Sequence, residues 1–334
     1  MGRLTVVRPG MHSTIQDLGR PGWGAMGVPV GGAADPISLR AGNRAAGNRD
    51  DAAAIEMTLV GGVFRFEDGG RVALAGAEGW IHGAESAGPR RPCAPWTATD
   101  LRPGEVLEAQ LLDRWCRAYL CIGADDGGGV RAAPVMGSRS TYSIGAGGDA
   151  WGFGGHEGRP LRAGDVLEFE GAGGRGPRRR LGDAGRRAVE AWTGRRVLRA
   201  TAGPHEGLFD RRAAGAFWGG TFTVLPQSNR MGARLDGPAV AAPMGGRMPS
   251  EGMYAGAVQV AGAEGTGQVI ALLPDHPTTG GYPVIASIAA ADLPALGQLR
   301  PNDRVRFERV SVERARELHA EQARALGSLE LDDA

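Results

Sequence analysis

The segment Leu273-Pro274-Asp275-His276-Pro277-Thr278-Thr279-Gly280-Gly281-Tyr282-Pro283 gathers an acid, an imidazole, two hydroxyls, a Gly-Gly pair and a phenol. Apolar runs flank it, Val269 to Leu273 before and Val284 to Ile288 after. It therefore reads as a connection between two strands, where rigid elements present catalytic and binding groups. Asp275 and His276 are able to carry protons. The N–H groups of Thr279, Gly280 and Gly281 can converge on a ligand oxygen as an anion nest, because glycine reaches positive φ without steric cost. The same residues also suit a plain turn, each having a local conformational use. Taken alone, the segment fits both readings.

Two more polar clusters accompany it in the second half of the chain. Gln227 to Pro238 contains Asn229 and Arg230, and Ser250 to Val260 contains Glu251. The first half carries Ser13-Thr14-Ile15-Gln16-Asp17-Leu18-Gly19-Arg20-Pro21-Gly22, then Gly27-Val28-Pro29-Val30-Gly31-Gly32-Ala33-Ala34-Asp35. Glu56-Met57-Thr58-Leu59 and Gly137-Ser138-Arg139-Ser140-Thr141-Tyr142 follow.

The elements that must position these residues read as β-strands. Short apolar runs, such as Gly61 to Phe66, Trp115 to Ile122 and Ala257 to Val260, recur between Gly, Pro and Asp clusters. One turn pattern occurs three times: Leu101-Arg102-Pro103-Gly104-Glu105-Val106, Leu161-Arg162-Ala163-Gly164-Asp165-Val166 and Leu299-Arg300-Pro301-Asn302-Asp303-Arg304. Gly or Asn followed by an acid directly before a strand is the chemistry of a tight turn feeding a ladder. Helices are few. Asp35-Pro36 opens one that Gly47-Asn48 stops, His205 to Phe217 is a second, and Ser311 to Leu326 a third. The Gly/Arg-rich stretch 173–196 is expected to be a solvated linker. It divides a β domain over 1–172 from another over 197–310, followed by a helix and frayed acidic tail over 311–334.

Composition excludes several chemistries. The 334 residues contain no lysine, so all 38 basic residues are arginine. A P-loop lysine, a Schiff base and a biotinylated lysine are thereby ruled out on this chain. Phosphate or carboxylate must be held by arginine forks, backbone amides or a metal. A net charge of +1 gives no electrostatic case for nucleic acid. No run reaches the roughly 18–20 apolar residues of a membrane span, and the N-terminus shows no signal peptide. Cys93, Cys116 and Cys121 fit neither a disulfide framework nor a zinc site, so no metal is expected and a reduced cytoplasmic setting is. Gly145-Ala146-Gly147-Gly148-Asp149-Ala150 matches a loose dinucleotide pattern but precedes no helix pattern, and His205-Glu206 lacks the second histidine of a zincin.

In order and over nearly the whole chain, these clusters resemble the KipA family. That family includes the PxpC component of bacterial ATP-dependent 5-oxoprolinase and proteins known as allophanate hydrolase subunit 2, and it is similar to the carboxyltransferase region of urea carboxylase. The resemblance implies an all-β fold of two cyclophilin-like β-barrels, one over 1–172 and one over 197–310. It also implies a KipI-like protein (PxpB) as direct partner and a LamB/YcsF-type protein (PxpA) as a third component. This sequence departs from the family pattern at Pro277, where many relatives have Gln, at Gly31, where Ser is common, and at His12-Ser13.

The implied activity is ATP-dependent opening of the 5-oxoproline lactam to glutamate. Such a site must stabilise a transferring phosphoryl group and hold a small carboxylate. The cationic candidates are Arg230 and Arg20. Asp275 or His276 moves protons, and Glu251 acts as a base or a metal ligand. Gln16, Asp17, Asn229, Thr278, Thr279, Gly280, Gly281 and Tyr282 complete the expected substrate and anion contacts. ATP with magnesium would be bound by the complex, and covalent biotin is absent from this chain. Two rivals stand beside this reading: carboxyl transfer to urea or a related amide, and regulatory binding of a KipI-type kinase inhibitor.

Overall fold

The computed structural model describes all residues except 84–88, 145–150, 172–176 and 263–266. The loose dinucleotide motif at 145–150 lies outside the described residues, as does part of the Gly/Arg-rich stretch. The chain forms two compact units. Both are mostly β, as the short apolar runs between turn residues indicate. No described helix is long and apolar enough to cross a membrane.

The first unit comprises Met1–Arg20, Gly31–Val189 and Leu329–Ala334. A six-stranded sheet runs in the order Val166–Phe169, Gly2–Arg8, Val63–Phe66, Val106–Leu111, Ala77–His82, Arg91–Cys93. A five-stranded sheet runs His12–Gln16, Ala54–Thr58, Arg117–Gly123, Gly70–Ala75, Thr99–Leu101. Leu4, Phe64 and Leu107 of the first sheet meet Ile55, Leu74 and Leu120 of the second in one apolar cluster. The strand Ala77–His82 alternates buried and exposed positions, as expected for a sheet with one wet face. Arg117–Gly123 is instead buried throughout, because the helix Pro36–Ala46 covers its other side. That helix starts as the sequence indicates: the Asp35 carboxylate accepts from Ile37 N and Ser38 N at 3.0 Å, and Gly47 ends it in the left-handed conformation. Gly42 permits the close packing. A Cβ there would sit 2.8 Å from Cys121 Sγ and 2.9 Å from Ala75 Cβ. All three cysteines are buried and unbridged.

The three sequence-related turns adopt one geometry. Gly104, Gly164 and Asn302 all have left-handed φ, of 79°, 92° and 72°. The following acid accepts from the arginine N–H three residues earlier, at 2.7, 2.7 and 2.8 Å. Each turn also docks onto a strand residue by two backbone bonds, Phe66, Val6 and Val224 respectively. A second arginine pairs each acid: Arg91 with Glu105, Arg159 with Asp165 and Arg196 with Asp303. Arg159 holds Asp165 in a fork at 2.8 and 2.9 Å, and this bond moves the carboxyl down to about 2. A lowered folded-state value stabilises the fold above the unfolded value of 3.8, and that contribution disappears as pH falls towards 2. Asp165→Asn is therefore expected to shrink the stability difference between pH 5 and pH 2, measured by urea unfolding at each pH.

The second unit comprises Pro21–Val30 and Glu190–Ser328 and contains a closed seven-stranded barrel. Its order is Val197–Ala202, Val284–Ile288, Ala257–Ala261, Gln268–Leu272, Gly232–Asp236, Phe222–Val224, Arg304–Arg309. The last strand closes the barrel by parallel pairing with the first, Val197 opposite Arg306. Phe217, Phe222 and Phe307 pack together in its core, with centroids of Phe217 and Phe307 stacked 4.7 Å apart.

Some sequence expectations need correction. The helix expected from His205 is instead a 3₁₀ turn over Glu206–Leu208 and a helix over Arg211–Gly219, because Asp210 caps the latter through Ala213 N at 2.7 Å. The stretch expected to be linker contains the strand Arg179–Leu181 and the helix Asp183–Thr193. The tail expected to fray forms the strand Leu331–Asp333 against Arg179–Leu181, with Asp333 opposite Arg179 and Asp332 opposite Arg180. Opposite charges facing each other across the pair explain why an acidic end orders there. The third helix is Val312–Gly327, capped by Ser311, close to its expected bounds.

Candidate functional site

Three polar clusters of the second unit meet at its loops. The first half of the 273–283 segment is tied to the Arg230 cluster: Leu273 N donates to Met231 O at 3.1 Å, and Asp275 N to Arg230 O at 3.1 Å. The second half is tied to the Glu251 cluster. Glu251–Gly252 and Thr279–Gly280 form a two-stranded ribbon, with Glu251 opposite Gly280. Met253 N donates to Thr278 O at 2.9 Å, and Met248 N to Gly281 O at 2.8 Å. One connection between barrel strands is thus clamped from both sides.

Arg230 and Asp275 form a forked ion pair, Nε to Oδ2 at 2.7 Å and Nη2 to Oδ1 at 3.0 Å. Both side chains are buried, at 8% and 5% exposure. The fork is the geometry in which guanidinium and carboxylate bind most strongly. Because the pair is neutral overall, Arg230 presents no net cation to a phosphoryl group or carboxylate. It braces the loop, and Asp275 is its partner. Next to them His276 is buried, with Nδ1 2.9 Å from Pro277 O. A carbonyl only accepts, so Nδ1 carries the hydrogen and Nε2 of the neutral ring keeps its lone pair. Burial pushes the His276 imidazole below its ordinary value, and this outweighs the opposing pull of Pro277 O and Asp275. His276 is therefore a neutral base at physiological pH.

Glu251 is exposed, and the residue opposite it in the ribbon has no side chain. Gly280 packs closely against two long side chains. A Cβ would lie 2.8 Å from Gln259 Nε2 and 2.9 Å from Met253 Cγ. Neither Gly280 nor Gly281 is among the left-handed positions of the described residues, so the expected nest of positive-φ glycines does not form there. Gly280→Ala is expected to cost about 1–3 kcal/mol by overpacking, read by urea unfolding. Tyr282 is half-exposed, and its carbonyl accepts from Gln259 Nε2 at 3.4 Å. Thr278 is half-buried and Thr279 exposed. Asn229 shapes the chain, since its Oδ1 accepts from Met231 N at 2.8 Å and Gly232 N at 3.3 Å.

Gln16, Asp17 and Arg20 belong to the first unit, where they are buried together. Asp17 organises a loop: its carboxylate accepts from Gly19 N at 2.8 Å, Arg139 N at 2.6 Å, Ser138 Oγ at 2.6 Å and Ser140 Oγ. Arg20 is 1% exposed, donates to the carbonyls of Val135 and Ser140, and lies over the Phe153 ring at 4.9 Å. Gln16 Nε2 donates to Thr14 Oγ1 and to Thr141 O. These contacts make Asp17 and Arg20 organisers of the fold at this point.

Sequence reasoning passed over His205 and Gln259. His205 Nδ1 accepts from Val284 N at 3.0 Å, and its Nε2 lies 3.3 Å from Glu251 Oε2. Both partners are distant in sequence, so no local pattern marks the residue. Glu56, from the Glu56-Met57-Thr58-Leu59 cluster, receives Tyr119 Oη and Ala34 N on its Oε2 at 2.8 and 2.9 Å inside the first unit.

Comparison with known proteins places this architecture. Residues 26–309 match the family model of the carboxyltransferase domain, subdomain A and B. The chain is 36% identical to the 5-oxoprolinase C-subunit of Escherichia coli K12, over 96% of each chain. It is 33% identical to the protein of the same name from Haemophilus influenzae, over 92% of this chain and 91% of that one. The solved structure of the K. lactis urea amidolyase superposes with a TM-score of 0.84 at 26% identity, covering 98% of this chain and 20% of that much longer one. The fold agrees with the urea amidolyase structure over 98% of the chain, and the chain belongs to the carboxyltransferase-domain family, subdomain A and B, that includes the 5-oxoprolinase C-subunits.

Proposed function

We propose that this chain is the C-subunit of an ATP-dependent 5-oxoprolinase, a hydrolase that opens 5-oxo-L-proline to L-glutamate. The observation that carries this reading is coverage: similarity to the 5-oxoprolinase C-subunit of E. coli runs over 96% of both chains, whereas the chain spans 20% of urea amidolyase. The partners in this reading are a KipI-like protein, in direct contact, and a LamB/YcsF-type protein.

The chemistry explains what such a complex must supply. A lactam carbonyl is a weak electrophile. Transfer of the γ-phosphoryl group of ATP to its oxygen activates the carbon for water. The C–N bond then breaks as the nitrogen takes up a proton, and a second water releases phosphate from the acyl phosphate so formed. Loss of the lactam N–H proton moves electron density onto the carbonyl oxygen, so a base beside the nitrogen favours the phosphoryl transfer. His276, with Nε2 as acceptor, and Glu251, with an exposed carboxylate, are the two bases the site offers. The Arg230–Asp275 fork keeps their loop in place. In this reading ATP with magnesium is bound by the complex. Among the described residues no three His, Cys, Asp or Glu side chains converge, and Arg230 and Arg20 bond to Asp275 and to the Ser140 carbonyl.

The test is substrate choice. The chain is co-expressed with its KipI-like and LamB/YcsF-type partner candidates, and ATP consumption is measured with 5-oxoproline and with urea. Stimulation by 5-oxoproline alone supports the reading. Stimulation by urea alone favours the carboxyltransfer alternative, which the urea amidolyase likeness motivates.

A further inference from the structure

His205 takes no part in the chemistry described above, yet its ring is held in a defined orientation against the most exposed acid of the site. Its backbone N donates to Val284 O at 3.1 Å, and its Nδ1 accepts from Val284 N at 3.0 Å. The histidine thus continues the pairing along the barrel strand Val284–Ile288 beyond the point where the neighbouring strand Val197–Ala202 ends. An imidazole nitrogen that accepts from an amide carries no hydrogen, so the neutral ring bears its hydrogen on Nε2. Nε2 lies 3.3 Å from Glu251 Oε2. His205 is nearly buried, at 11% side-chain exposure, while Glu251 is 49% exposed. One end of the ring is fixed to the barrel wall, and the other faces a carboxylate that stands on the ribbon with Thr279–Gly280.

We propose that His205 is a positioning residue for Glu251, directing the carboxylate towards the reacting amide from a rigid strand. The inference rests on the 5-oxoprolinase reading, because Glu251 must be a working base for its placement to matter. The 46 positions separating the two, and the 79 separating His205 from Val284, make the arrangement a product of the fold. His276 is the opposite case: there Nδ1 carries the hydrogen and Nε2 is the acceptor. The two histidines therefore serve different ends, one donating towards a carboxylate and one offering a lone pair.

Two substitutions separate positioning from plain structure. In His205→Asn the side-chain oxygen lies near the former Nδ1 and satisfies Val284 N–H, but nothing reaches Glu251. In His205→Gln the amide extends to the former Nε2 and reaches Glu251. Turnover of 5-oxoproline by the assembled complex and the melting temperature of the chain are measured for both. The expected result is a fall in kcat of tenfold or more for His205→Asn with KM changed less than twofold, and recovery of most of that loss in His205→Gln. The loss is also expected to vanish in a Glu251→Gln background, since residues acting as a unit are not additive. Three results would overturn the proposal. They are Asn outperforming Gln, neither variant changing kcat, and full additivity with Glu251→Gln. A wild-type complex that does not turn over 5-oxoproline would instead sink the functional reading, and the proposal with it.

Discussion

Asp275→Ala is expected to destabilise the chain by about 3–5 kcal/mol and to abolish turnover, because it removes the carboxylate forked onto the buried Arg230 guanidinium. The pair is forked, at 2.7 and 3.0 Å, and both side chains are less than one-tenth exposed. Removing one charge leaves the other in a poorly solvated place, and the cost is that of desolvation more than of the lost bond. The loop is affected as well, since Asp275 N also bonds Arg230 O and the next residue is His276. Replacing both partners, as in Arg230→Met with Asp275→Leu, removes both charges. Denaturant unfolding should then show the double variant more stable than Asp275→Ala. Its activity should stay low, because the fork no longer fixes the position of His276. Full activity in the double variant would show that the pair has no part in shaping the site.

His276→Asn is expected to lower kcat/KM by about 10²-fold, the lower end of what a positioned base contributes. The asparagine amide retains a donor for Pro277 O and loses the acceptor at Nε2. A linked expectation concerns pH. Burial holds the folded-state value of His276 below the unfolded value of 6.5. Between these two values the unfolded chain binds more protons than the folded one, so stability rises with pH. The contribution is complete above 6.5 and declines as pH falls through the lowered folded value. Urea unfolding between pH 5 and pH 8 should show this slope in the wild type and a smaller one in His276→Asn. For the same reason, activity that depends on the neutral ring should persist below pH 6.5 in the wild type. An unchanged slope in the variant would assign the pH dependence to another group.

The sequence made the β architecture legible through short apolar runs between Gly, Pro and Asp clusters and through repeated turns. Leu101 to Val106, Leu161 to Val166 and Leu299 to Arg304 look alike in sequence, and the structure gives all three the same left-handed residue and the same acid-to-amide bond. The Asp35 cap was equally readable, since it acts within three residues of its partners. What escaped was long-range. The Arg-rich segment and the acidic end pair with each other, and either one alone suggested disorder. Arg20 was a candidate anion binder by residue type, but the Ser140 and Val135 carbonyls that enclose it are more than a hundred positions away. The Gly280-Gly281 pair suggested backbone freedom. At Gly280 the absence of a Cβ instead lets Gln259 and Met253 pack closely.

The joining of Asp275 to Arg230 and of Gly280 to Glu251 brings three separate clusters together, and this convergence supports the assignment of the second unit as a reaction site. Its direct test is the reconstituted complex of this chain with the proposed KipI-like and LamB/YcsF-type partner candidates, assayed for glutamate formed per ATP hydrolysed. Glutamate production from 5-oxoproline that requires ATP, and that stops when this chain is left out or replaced by Asp275→Ala, is the predicted result. Equal glutamate production without this chain, or ATP hydrolysis indifferent to 5-oxoproline in a fully assembled complex, would contradict it.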